Sequence, residues 1–194
     1  MNAFSYVLEH IEGTVLFVSL LIAGVAVVLR FFDIQSKSSR RRILKEEFDA
    51  AIRQLSSESE TNRLAAAILI RRFFTAERGC YRNETIYVLS SLLRVVPTGV
   101  FQKTLADGLA YGHDLSKADL QKTNLQDAYI GSKEQVTTDM RETDLFQADL
   151  SNALIERIDG RKAVFYQSNL QHARIKYSDL SEANFSMADL NHIG

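Results

Sequence analysis

The chain has 194 residues, room for one ordinary domain, or for two small ones beside an anchor. Its net charge of −1 is uneven: residues 1–112 carry 14 Lys/Arg against 11 Asp/Glu, and residues 113–194 carry 9 against 13. No strongly basic domain results, which excludes a general nucleic-acid binder. The single cysteine, Cys80, excludes an internal disulfide and a thiolate metal cluster, and it reads as a buried or idle thiol.

Residues 13–29, GTVLFVSLLIAGVAVVL, carry no charge. With Ile11 before them and Phe31 and Phe32 after them, the apolar span reaches about 20 residues, which is what a bilayer requires. A cleaved signal peptide would begin with positive charge, whereas this segment is preceded by Glu9 and Glu12. Arg30, Lys37, Arg40, Arg41, Arg42 and Lys45 come after it. The positive-inside rule then puts the C-terminal bulk in the cytoplasm and the short N-terminus outside. The expected location is the inner membrane of a bacterium, crossed once. The same six cations set topology and are placed to meet anionic lipid headgroups.

Residues 38–57 read as a helix capped by Ser38 or Ser39. Leu44, Phe48, Ala51 and Leu55 form a short heptad-like stripe on it. That stripe suits self-association just inside the membrane, or packing onto the next helices of the same chain. A second helix begins at Ser57 or Ser59, with Leu64, Ile68 and Phe73 among its apolar residues. A third, residues 83–96, has Asn83 as its cap and Ile86, Leu89, Leu92 and Leu93 on one face, and Pro97 stops it. Residues 98–112 read as a short fourth helix ended by Gly108 or Gly112. A helical unit of this size needs a neighbour to bury its faces, and it is expected to stack on the C-terminal residues from 113 onward.

From Leu115 to Leu190 a large apolar residue recurs every five positions. Neither a strand nor a helix has that period. Sixteen positions fall in the frame and 14 are large and apolar; small residues such as Ala118, Thr123, Ala148 and Ala163 sit two before them. Asp or Asn lies between, at 114, 119, 124, 139, 144, 149, 159, 169, 179, 184 and 189. This A-(D/N)-L-x-x pattern strongly resembles the pentapeptide-repeat family over residues 113–192. The resemblance implies a right-handed quadrilateral β-helix, with five residues per side and four sides per coil. The large and small residues point inward, and the other three face out. Physical chemistry agrees: Asp and Asn side chains bond backbone at turns, and coils stacked at the inter-strand spacing give four coils about 20 Å long. Lys133 and Gln135 break the frame and predict a bulge or small loop. Gly160 in a large slot, preceded by Ile158 in a small one, predicts an exchange of volumes.

The fold class is therefore α+β. Residues 1–12 form an extracytoplasmic N-terminus, 13–32 the transmembrane helix, 33–112 a juxtamembrane and helical capping region, and 113–194 the β-helix. With 20 residues per coil, Lys122, Glu142, Lys162 and Glu182 would stack as a charge ladder. Asp119, Asp139, Asp159 and Asp179 would stack as turn-forming carboxylates, too few in oxygen donors for calcium. His172 and His192 would stack too, with too few ligands for structural zinc. One side exposes Phe146, Val164, Tyr166 and Met187 with Gln126, Gln147 and Gln167 around them, an aromatic patch with a polar rim that suits a protein partner. The last coil presents open β edges, which invite dimerisation or docking. No phosphate loop, metal cluster or nucleophile motif appears, so neither an enzyme nor a cofactor is expected.

The function expected is a membrane-anchored interaction scaffold or an accessory subunit of a larger membrane assembly. It would contact lipid through its anchor and an unidentified protein through its repeats. A self-associating membrane effector in stress or phage defence is the alternative. A DNA mimic that binds a topoisomerase rests on fold-level analogy alone, and nucleic acid is not an expected partner.

Overall fold

The computed structural model describes residues 30, 35–75, 78–132 and 136–194. The chain divides into two compact units, Met1–Glu47 and Phe48–Gly194. Among the described residues no helix is long and apolar enough to cross a membrane. The predicted transmembrane segment, residues 13–32, lies outside the described residues apart from Arg30.

Helix α1 covers residues 35–55. It is built largely from Arg, Lys, Leu, Glu, Ala and Gln, all good helix formers. Ser38 and Ser39 lie inside it, not at its start, because helical residues already precede them. Helix α2, Glu60–Leu69, is capped by Ser59, whose hydroxyl accepts from the Asn62 N–H at 3.4 Å. It tightens into a 3-10 turn, Ile70–Phe74. Helix α3, Arg82–Leu93, starts one residue before the predicted cap Asn83 and has no side-chain cap. Helix α4, Val100–Ala106, is followed by a 3-10 turn, Leu109–Tyr111.

The predicted faces are mostly the buried ones. Phe48, Ala51 and Leu55 are buried, and the Phe48 ring stacks on Tyr81 at 4.7 Å and meets Phe73 edge-on at 4.9 Å. Ile86, Leu89 and Leu93 are buried in α3. Ile68 is the exception: it is exposed, and Ala66, Ala67 and Ile70 fill that side of α2 instead. Cys80 is exposed, not buried.

From residue 113 the backbone winds in parallel coils. Most inward residues open a turn that the residue three positions on closes, as in Leu145 C=O accepting from Ala148 N–H at 3.0 Å. The second residue after the inward one has φ between 53° and 62° at fourteen non-glycine positions from Lys117 to His192. Positive φ at that place, with the i to i+3 bond, defines a type II turn. Every Asp or Asn in the predicted slot accepts a bond from the N–H two residues on, at 2.9–3.3 Å. Those side chains shape the corners as their chemistry predicts.

Register between the second, third and fourth coils steps by 20: Asp144 pairs with Val164 and Val164 with Asn184. Between the first and second it steps by 25: Asp114 pairs with Asp139, Asp119 with Asp144 and Ile130 with Ile155. The register therefore shifts by five residues between Gly131 and Thr138. The frame-breaking Lys133 and Gln135 fall in that stretch but lie outside the described residues. Gly131 ends the 25-residue register, at φ 134° and paired with Glu156. The Gly160 exchange is present: Ile158 is buried, and a Cβ on Gly160 would sit 3.2 Å from the Ile158 Cδ1 and 2.8 Å from the Leu180 Cδ2.

The helices close the N-terminal edge of the first coil. Leu93 C=O accepts the Asn124 N–H at 2.8 Å, and the Asp107 carboxylate accepts the Tyr129 N–H at 2.9 Å. Buried Gln102 donates to the Asn124 and Gln126 carbonyls at 2.9 and 3.2 Å. Arg94 donates to the Gln121 carbonyl and pairs with Asp119, both at 2.9 Å. Edge groups that would otherwise be orphaned are thus satisfied.

Candidate interaction face

The 25-residue step re-sorts the outward columns below it. The carboxylate ladder is Asp114, Asp139, Asp159 and Asp179; Asp119 belongs to the next side, beneath Asp144. Lys117, not Lys122, faces Glu142, at 3.8 Å, and Lys162 faces Glu182 at the same distance. Gln126 pairs with Thr98 of the helical region and stands away from the aromatic patch.

The carboxylate ladder is interleaved with arginines. Arg82 pairs with Asp114, Arg141 reaches Asp139 at 2.6 Å and Asp159 at 3.8 Å, and Arg161 reaches Asp159 at 2.8 Å and Asp179 at 3.9 Å. The hydrogen bond from Arg141 holds Asp139 below the usual carboxylate range, and Arg161 does the same for Asp159. These oxygens are engaged by guanidinium. Among the described residues no group of three or more His, Cys, Asp or Glu could hold a metal ion.

A lowered folded-state pKa has a definite sign. Its contribution to stability is complete above the unfolded value, about 4, and is lost as pH falls through the lower folded value. The melting temperature should hold level from neutral pH to about 5 and fall below about 4. Asp139→Asn with Asp159→Asn should flatten that acid limb in thermal melts followed by circular dichroism. An identical acid limb in the double variant would count against the ladder as its source.

On the adjacent side the chemistry changes. Phe146 and Tyr166 occupy the first outward position after the buried Leu145 and Phe165, one coil apart. Their rings stack at 5.7 Å and 10°. The Tyr166 hydroxyl donates to the Met187 sulfur at 3.2 Å. Gln147 donates to Gln167 at 2.9 Å, and the Gln167 amide lies 3.8 Å from the same sulfur. Val164 is half-buried between Asp144 and Asn184 in register. Six of the seven predicted patch residues thus lie on one side, Gln126 being the exception, with Met187 72% exposed. Rings this parallel form an offset stack across neighbouring coils.

His172 and His192 stack at 4.8 Å and 3° on the side beyond. Of the predicted pairing stripe, Phe48, Ala51 and Leu55 are committed to the chain's own core, and Leu44 is half-buried. Arg30, Lys37, Arg40, Arg41, Arg42 and Lys45 are all exposed. The periodic pattern gives no sign of a cleft of about 290 Å³ between α3 and the first coil, lined by Arg82, Ile86, Tyr87, Lys117 and Asp119.

A family model described as pentapeptide repeats matches residues 143–181 and 161–193. Residues 143–193 thus carry pentapeptide repeats. No curated protein matches the chain. Among solved structures it is similar to a pentapeptide repeat protein (Rfr23) from the cyanobacterium Cyanothece 51142, at 20% identity over 41% of this chain and 58% of that one, TM-score 0.31. It is also similar to HetL, a pentapeptide repeat protein involved in heterocyst differentiation regulation in Nostoc, at 20% identity over 41% and 37%, TM-score 0.26. A third similarity is to a pentapeptide repeat protein of the Arabidopsis thaliana thylakoid lumen, at 21% identity over 42% and 60%, TM-score 0.18. The matched region spans less than two thirds of each of those chains.

Proposed function

We propose that the chain is a membrane-anchored, non-catalytic interaction scaffold, or an accessory subunit of a larger membrane assembly, whose repeats face the bacterial cytoplasm. The uncharged 13–29 segment and the cations after it support a single crossing with the N-terminus outside. The observation that carries the interaction reading is the ordered Phe146, Tyr166 and Met187 column beside the Gln147–Gln167 pair. It stands next to a side whose charges are largely cross-paired. Aromatic and Met side chains with a polar rim are the composition that protein interfaces favour. Self-association through α1 draws little support from the fold, since three of the four residues that would drive it, Phe48, Ala51 and Leu55, are buried inside one chain.

The test is affinity purification of the full chain from native membranes in mild detergent. A stoichiometric protein partner should be recovered with the wild type and lost with the Phe146→Ala, Tyr166→Ala double variant. A loss of at least tenfold in recovery is expected, since aromatic anchors of an interface each cost more than about 1.4 kcal/mol on truncation. Recovery of the same partner with both proteins would remove the patch from the reading. Recovery of the chain alone as a monomer would remove the scaffold.

A further inference from the structure

Several arginines of the cap and coils are neutralised: Arg94 by Asp119, Arg141 by Asp139, Arg157 by Glu156, Arg161 by Asp159. On the first turns of α1 the cations are largely unpaired. Arg40, Arg41 and Lys45 are exposed and have no ion-pair partner among the described residues. Arg42 has only Glu46 at 3.1 Å, with both side chains largely in solvent. Exposed helical pairs of that kind add little. The burial of α1 begins just beyond, at Phe48. Three consecutive arginines on a helix cannot share one face, since successive side chains are about 100° apart. With Lys45 they form a partial ring, an arc of about 200° around the helix. Positive charge spread over so wide an arc suits a surface of many anions better than one discrete ligand.

We propose that Arg40, Arg41, Arg42 and Lys45 bind the phosphate groups of anionic phospholipids, phosphatidylglycerol above all, and so collect a shell of that lipid around the helix. The inference rests on the membrane-anchored reading, because the partial ring follows the apolar segment 13–29 closely in the sequence. Each engaged cation contributes enough to favour an anionic lipid over a neutral one by about fivefold, and the preference weakens as salt screens it. Glutamine replaces arginine with little change in helix propensity, so the site can be removed without unfolding α1.

The experiment uses the full chain in vesicles of phosphatidylcholine, with spin-labelled phosphatidylglycerol or spin-labelled phosphatidylcholine as the probe. Spin-labelled phosphatidylglycerol should be held at the protein at least about fivefold more strongly. The preference should fall towards unity at high salt and vanish in Arg40→Gln, Arg41→Gln, Arg42→Gln. Equal retention of the two lipids by the wild type overturns the proposal, as does a preference the triple variant keeps. Competition by inorganic phosphate at modest concentration would assign the ring to free phosphate and also overturn it. An alkaline wash reads the anchor separately: a chain that leaves phosphatidylcholine vesicles is not anchored. In that case, pelleting that appears only with phosphatidylglycerol still reports the ring.

Discussion

Phe165→Ala should lower the stability of the Phe48–Gly194 unit by about 3–5 kcal/mol in denaturant unfolding. Phe165 is 1% exposed, and its ring lies on Phe185 at 4.7 Å and 6°. It spans the interior of the third coil, and Leu145 and Phe185 occupy the coils below and above it. Truncation opens a cavity that the square backbone, held by hydrogen bonds on both edges, cannot close. In a stack where each coil contacts only its neighbours, the damage should pass chiefly to the fourth coil. Phe185→Ala should cost less, because Phe185 is only partly buried. A Phe165→Ala loss under about 1 kcal/mol would mean that the aromatic column does not hold the coils together.

The second large effect is at Gly131. Its φ of 134° lies where L side chains are strained, and an added Cβ would overlap the carbonyl of Glu156. Gly131→Ala should cost about 1–3 kcal/mol from backbone strain alone, with the steric overlap in addition. Gly79→Ala supplies the control: a Cβ there meets nothing within 4 Å, and the change should stay within about 0.5 kcal/mol. Equal melting temperatures for the two variants would show that the register does not depend on Gly131.

What was legible in the sequence was the inside of the coils. Period five maps each large residue onto one buried position, so Leu115, Leu120, Leu145, Phe165 and Leu170 could be placed without knowing their neighbours. The outside required one more quantity, the number of residues per coil, and that number is not constant. The frame breaks at Lys133 and Gln135 marked the place. A count of 20 carried through them misassigned Lys122, Asp119 and Gln126, all of which precede the step. Phe146, Tyr166 and Met187 lie beyond it, and their grouping survived. The contacts of the cap had no periodic signature at all. Gln102 meeting Asn124, or Asp107 meeting Tyr129, depends on tertiary docking that no local pattern encodes. Ser38 and Ser39 misled for a related reason: a good N-cap residue also tolerates a helix interior when the residues before it are helical.

The register shift after Gly131 is one side's worth of chain, so a change of length there acts on the surface alone. Removing or adding five residues at that point leaves every later side chain facing the same way, in or out, so the interior is untouched. It does change which earlier residue each later one sits above, by a quarter of a turn. Lys117 beside Glu142, or Lys122 in its place, is decided there. A single indel in a loop can thus exchange whole columns of surface neighbours at once, a reshuffling that point substitutions would need many steps to reach.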